Sequence, residues 1–226
     1  MLKGPSGPFF KKVAKVRIAI LANGKSVHNF TDNPTVQGKY DQVWGLNQQA
    51  TWKGVKLDKC FVMDDLKLRM PYYAGYDFVE WLKTYTRPII TSRAYEEWPT
   101  AEEYPIMDIA HYFGMPLGVS MYSTPDYMIA LAIYEGATQI DLFGCDYADG
   151  HKNTNEMIMA TAQWIGAAEA RGVLVRTFVG SIFQWITNPG VILENGLYGY
   201  TRKPRIEELV NTDYYKAWLP YKENQE

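Results

Sequence analysis

Short apolar runs, each ending in a polar cluster, recur along this chain. They cover residues 16–21 (VRIAIL), 42–46 (QVWGL), 59–63 (KCFVM), 88–91 (PIIT), 140–143 (IDLF) and 173–179 (VLVRTFV). Runs this short and continuous predict strands buried on both faces, as in a parallel sheet. Between them lie segments of helical period. Residues 77–85 bring Phe78, Leu82 and Tyr85 near one face, and residues 155–170 do the same with Ile158, Thr161, Ala162 and Ile165. Residues 104–113 and 124–135 also read as helices. Thr124 is the expected N-cap of the latter, Pro125 its first helical residue and Gly136 its stop. Strands alternating with helices predict an α/β fold, a Rossmann-like three-layer sandwich with a mostly parallel sheet. The expected division is a lead-in over 1–15, a catalytic domain over 16–186 and a C-terminal extension over 187–226.

Composition narrows the function classes. At 226 residues the chain suffices for one large domain with a full core. A net charge of −2 with mixed signs gives no bulk electrostatic footprint for nucleic acid. Cys60 and Cys145 adjoin apolar runs, which argues for buried thiols in a reducing compartment rather than a disulfide framework. No apolar stretch reaches the roughly 18 residues of a membrane span, and the N-terminus lacks the apolar core of a signal peptide. A cytoplasmic protein is expected. Aromatic residues make up 15% of the chain, and core packing accounts for most of them before stacking on a sugar or base is needed.

The candidate chemistry sits at the strand ends, where open α/β sheets bind ligands. After the first strand comes Asn23-Gly24-Lys25-Ser26. A glycine there lets backbone N–H groups approach an anion, although neither GxxxxGK[ST] nor GxGxxG is present. After the second comes Asn47-Gln48, whose carboxamides can hold a base or ribose. After the third comes Asp64-Asp65, which can bind sugar hydroxyls or Mg²⁺, or simply cap a helix. The run from 140 ends in a loop with Asp146, Tyr147, Asp149 and His151. A histidine there suits a general base near neutral pH. His28, in an expected first helical turn, and His111, expected to be packed, are weaker candidates. The successive clusters predict one nucleotide or sugar-nucleotide pocket.

The segment YM-ALAI-GA-IDLFGCD, together with Asn23-Gly24-Lys25-Ser26 and Asn47, resembles the bacterial lipooligosaccharide sialyltransferases. It is also similar to the MptE-like 6-hydroxymethylpterin diphosphokinase superfamily and to related phage proteins. The resemblance spans roughly residues 16–180 and is concentrated in 124–176. It implies that Asn47 contacts a nucleotide and that His151, in Gly150-His151-Lys152-Asn153-Thr154, is the catalytic base. Lys25 stands where that family has proline, and Tyr147 supplies one of two expected phenols. Only residues 147–150 separate Asp146 from His151, where the family carries a long lid, so sialic acid is not read as the transferred sugar. The phage likeness implies a phage or prophage origin.

The resulting expectation is an inverting glycosyltransferase using a nucleotide-activated sugar. His151 would deprotonate the acceptor hydroxyl, and Tyr147, Lys25 or a cation would offset charge on the departing phosphate. Asn23, Gly24, Ser26 and Asn47 would hold the nucleotide, and Asp64 and Asp146 the ribose or sugar. No metal is expected. The acceptor is a glycan, a small molecule or a hydroxymethylated DNA base, and oligomeric state is left open. The rivals are a Mg²⁺-dependent diphosphokinase with Asp64 and Asp65 as ligands, and a non-catalytic nucleotide-binding module.

Overall fold

The computed structural model describes residues 15–51, 54–67, 78–114, 121–148, 154–178 and 180–187. All but the last residue of the expected lead-in (1–14), all but the first of the expected C-terminal extension (188–226), and the segment 149–153 with Asp149 and His151 lie outside the described residues. Among those described, seven strands form one all-parallel sheet. They are β1 Arg17–Leu21, β2 Gln42–Leu46, β3 Lys59–Val62, β4 Ile89–Thr91, β5 Ala101–Glu103, β6 Gln139–Phe143 and β7 Leu174–Thr177. The helices are α1 His28–Thr31, α2 Pro34–Gln37, α3 Phe78–Thr84, α4 Ile106–Phe113, α5 Thr124–Tyr134, α6 Thr154–Glu169 and α7 Gln184–Thr187. The α/β sandwich read from the sequence is the fold observed.

Strand β1 explains the layering. Ile18 and Ile20 face a core built with Ile109 of α4, Met128 and Ile129 of α5, and Trp164 and Ile165 of α6. Ala19 and Leu21 alternate to the other face, against Phe30 of α1, Val36 of α2, and Phe78 and Leu82 of α3. Both sets are buried, which is why the strand reads as an unbroken apolar run rather than an alternating one. Burial of side chains such as Ile20, Leu21 and Phe61 contributes about 1.5–3 kcal/mol each. Helix α5 is apolar all round because it lies between the sheet and helices α4 and α6. Its N-cap is Ser123, one residue before the expected Thr124, and Pro125 falls within the first turn.

Two local readings change. The edge strand β5, Ala101–Glu103, was not expected from its AEE sequence. Its glutamates are exposed, so it carries no apolar run, and charge on an edge strand discourages pairing with other chains. His111 is exposed rather than packed, on the outer side of α4. His28 is also exposed, 3.4 Å from Asp32.

The sheet order is β5-β4-β3-β2-β1-β6-β7. The chain builds outward from β1 to β5, then crosses back to place β6 on the other side of β1. The connections leaving β1 and β6 therefore diverge, opening a crevice at their carboxyl ends.

Candidate active site

That crevice holds a cavity of about 480 Å³. Its lining comes from four strand ends and from the start of α5: Asn23 and Gly24 after β1, Asn47 after β2, Asp64 after β3, and Asp146 and Tyr147 after β6. Met63, Met121, Ser123 and Tyr127 complete the walls, with Met157 from the first turns of α6. Sequence reasoning did not single out Ser123, Met63 or Met157, and it read Met121 only as standing near the place of an arginine in the resembling family. The volume falls within the usual range for small-molecule sites.

The turns after β1 and β6 are joined across the floor. Gly24 N–H donates to Gly144 O at 2.8 Å, and Ala22 N–H to Phe143 O at 2.7 Å. The Ser26 N–H donates to Asp146 Oδ2 at 2.7 Å, and the Ser26 hydroxyl donates to Asp146 Oδ1. Gly144 N–H in turn donates to Ser26 Oγ at 2.8 Å. This gives Ser26 and Asp146 a different part from the one the sequence suggested. The Asp146 carboxylate occupies the place an anion would take, and the Ser26 polar atoms are spent on it. The Gly24 N–H is likewise spent on a carbonyl, so this N–H is not left for a phosphate. The glycine at 24 serves close packing instead: a Cβ there would lie 2.5 Å from Gly144 O and 2.6 Å from the Asp146 carboxylate. Gly144 has φ +76°, and a Cβ would come within 2.2 Å of Ala22 O.

Asn47, Asn23 and Asp64 form another part of the lining. Asn47 adopts φ 50°, an αL conformation that asparagine tolerates. Its Oδ1 is buried and has no hydrogen-bond partner among the described residues. Asn23 is held by the fully buried Gln49. Gln49 Oε1 accepts from Leu46 N–H at 3.1 Å, so Gln49 Nε2 donates, and it reaches Asn23 Oδ1 at 3.2 Å. The Asn23 carbonyl is thereby committed and its NH₂ is left as the donor face. The third strand end divides its two carboxylates. Asp64 lines the cavity, while Asp65 accepts from Arg93 Nη2 at 3.0 Å, Tyr95 OH at 3.2 Å and Lys67 N–H at 2.9 Å. The pair does not form the joint chelate that the Mg²⁺ reading needs. Lys25 is exposed beside the cavity, in a second hollow with His28, Thr31 and Val55.

The wall under α5 carries a polar chain. Tyr147 has φ 51°, unusual for a bulky residue, and this conformation aims its phenol inward. The phenol sits 2.8 Å from Ser123 Oγ and 2.8 Å from Thr161 Oγ1. The Thr161 hydroxyl donates to Asp126 Oδ1 at 2.5 Å, and Asp126 Oδ2 accepts the N–H groups of Tyr122 at 3.0 Å and Ser123 at 2.7 Å. Burial pushes the Tyr147 phenol and the Cys145 thiol upward in pKa. The phenol expected to face a leaving phosphate is thus engaged with Thr161.

Asp126 is fully buried, and burial raises its pKa from 3.8 to about 6 against the opposing pull of the Thr161 hydroxyl and the Ser123 and Tyr122 N–H groups. The folded protein therefore holds this proton more tightly than the unfolded chain. The associated stability is present below about pH 4 and is lost as pH rises through about 6. Urea denaturation across this window should show wild type losing up to about 3 kcal/mol relative to Asp126→Asn, the equivalent of some two pKa units. Parallel pH profiles for the two proteins would refute this.

No protein-family model matches the chain, and no curated protein matches it. Solved structures do. The sialyltransferase CstII from Campylobacter jejuni in complex with cytidine-5′-monophosphate is similar, with TM-score 0.47 and 19% identity over 75% of this chain and 82% of that one. A structure of sialyltransferase Cst-II with CMP gives TM-score 0.51 and 18% identity over 77% and 87%. At this identity the likeness establishes a shared sialyltransferase-like fold.

Proposed function

We propose that this protein is a glycosyltransferase that binds a nucleotide-activated sugar in the crevice between β1 and β6. The observation that carries the reading is the buried, unpartnered Asn47 Oδ1. A buried acceptor without a donor costs about 1–3 kcal/mol; Asn47 lines the cavity, so a side-chain rotation that turns Oδ1 to a ligand N–H or O–H removes that cost. The other lining groups suit a nucleotide. The Asn23 NH₂ is a donor for a phosphate oxygen, Asp64 an acceptor for ribose or sugar hydroxyls, and Leu46, Met63 and Met121 apolar cover for a base. The structural neighbours are complexes with CMP, which supports a cytidine nucleotide as the first probe.

In this reading His151 takes the proton from the acceptor hydroxyl as it attacks the anomeric carbon, giving inversion. Lys25 and Asn23 offset charge on the departing phosphate. Ser26 and Asp146 hold the turns rather than the ligand. The donor sugar, the acceptor, a phage origin and a cytoplasmic location belong to the proposal. Among the described residues no helix is long and apolar enough to cross a membrane.

A thermal-shift panel of CMP, UDP, GDP, ATP and their sugar nucleotides, with Mg²⁺ or EDTA, tests it. The expected outcome is a rise of the melting point with one nucleotide class, unchanged by EDTA and reduced by Asn47→Ala. Binding that requires Mg²⁺ would favour the diphosphokinase, and no binding would end the reading.

A further inference from the structure

The chain from Ser123 to Asp126 is not used by the chemistry above, yet it has a direction that can be worked out proton by proton. Asp126 Oδ2 is anchored by two backbone N–H groups, those of Tyr122 and Ser123. With the carboxylate ionised, Oδ1 can only accept, so the Thr161 hydroxyl donates its one proton to it. Thr161 then has none left for Tyr147, so the Tyr147 phenol donates to Thr161. Tyr147 in turn has none left for Ser123, so the Ser123 hydroxyl donates to Tyr147. Its proton points into the wall. Ser123 lines the cavity; its oxygen accepts the Asp126 N–H in the capping box, which leaves one lone pair as an acceptor for a ligand.

We propose that Asp126 is a positioning residue that acts through Thr161 and Tyr147 to fix Ser123 as a hydrogen-bond acceptor, so that the site selects a ligand hydroxyl there. The proposal rests on the nucleotide-sugar reading for the identity of that ligand. The hydroxyl belongs to the ribose or to a neutral sugar. A carboxylate at the same place would meet a lone pair and be disfavoured.

The chain of hydrogen bonds reverses when Asp126 is protonated. Its Oδ1–H then donates to Thr161, Thr161 to Tyr147, Tyr147 to Ser123, and Ser123 presents a proton to the cavity. Among the described residues, the titratable groups that face Asp126 are Tyr104 before α4, Tyr127 on α5, and Cys145 and Tyr147 after β6. All four are shifted upward from already high values, so they stay neutral while Asp126 titrates near pH 6. Asp126→Asn fixes the reversed direction at every pH. The backbone donors keep the amide oxygen at the Oδ2 position, which leaves the NH₂ facing Thr161.

The test compares hydroxyl-bearing ligands with analogues lacking one hydroxyl, by calorimetric titration at pH 7.5 and pH 5. CMP against 2′-deoxy- and 3′-deoxy-CMP reads the ribose, and UDP-glucose against its 2-fluoro form reads the sugar. Wild type should prefer one hydroxyl-bearing ligand by about tenfold at pH 7.5, the worth of one hydrogen bond, and lose most of that preference at pH 5. Asp126→Asn should lack the preference at both values. Thr161→Val, which cuts the chain without adding charge, should remove the pH difference. An equal preference in wild type and Asp126→Asn at pH 7.5 overturns the proposal. A second measurement needs no ligand. The side-chain ¹³Cζ shift of Tyr147 in tyrosine-labelled protein should move as pH passes through about 6 and stay fixed in Asp126→Asn. A static signal in wild type overturns the relay even where nucleotides bind. A moving signal with no nucleotide binding leaves the relay standing and overturns the functional reading instead.

Discussion

Replacing His151 by alanine is expected to lower sugar transfer by about 10²–10⁴-fold, the usual loss when a positioned general base is removed. Both flanks of the segment that contains it are at the cavity. On one side Asp146 and Tyr147 line the cavity, and Asp146 is pinned to Ser26. On the other side α6 begins at Thr154, and Met157 in its first turns lines the same cavity. Both described ends of the segment that contains His151 therefore lie at the cavity. Gly150 precedes the histidine and allows a close backbone approach. A base acts on the acceptor, so nucleotide affinity should stay within a factor of about two while turnover falls. Transfer assays and nucleotide titrations on the same variant separate the two quantities. Full transfer by His151→Ala would end the mechanism. Normal turnover at saturation with weakened affinity would recast His151 as a binding residue.

The sheet was legible because most of its strands are covered on both faces. Apolar runs such as IAIL and CFV then need no alternation and stand out between polar turns. β5 was not legible, since an exposed edge strand of one alanine and two glutamates has no hydrophobic signature. Strand ends could be named from sequence, but their convergence depends on strand order. That order is set by which helices cross to which face. Asn23, Asn47, Asp64 and Asp146 line one cavity, while Ser26 lies beneath it, bonded to Asp146. No local pattern distinguishes a serine that caps a ligand from one that bonds a carboxylate 120 positions away. The Ser123–Asp126 pair did carry a signal, a serine followed three residues later by an acid, and placing the cap at Thr124 passed over it. Thr161 was counted with the apolar face of its helix, and it does face inward, but toward Asp126.

Arg176→Met is expected to destabilise the protein by about 3–5 kcal/mol, because it strands a carboxylate in the core. Asp141 and Arg176 sit opposite each other on β6 and β7. The side chains are 0% and 9% exposed. Arg176 Nε donates to Asp141 Oδ1 at 2.8 Å, and Arg176 Nη2 donates to Oδ2. Tyr40 OH donates to Oδ2 at 2.5 Å, and Gln139 Nε2 lies 3.1 Å from each oxygen. Each charge interrupts an otherwise apolar run, IDLF and LVRT, and only the register explains both at once. Without Arg176 the two neutral donors remain, which cannot match a bidentate guanidinium in a dry environment. The double variant Arg176→Met with Asp141→Leu removes both charges and should recover most of the loss, since a buried pair is often replaceable by apolar residues of similar volume. Guanidinium denaturation of the single and double variants measures the difference. A single variant within 1 kcal/mol of wild type would mean that water reaches Asp141. The consequence reaches the site, because β6 carries Cys145, Asp146 and Tyr147 directly into the cavity. A loosened β6–β7 pair should therefore weaken nucleotide binding even though neither charge touches the ligand.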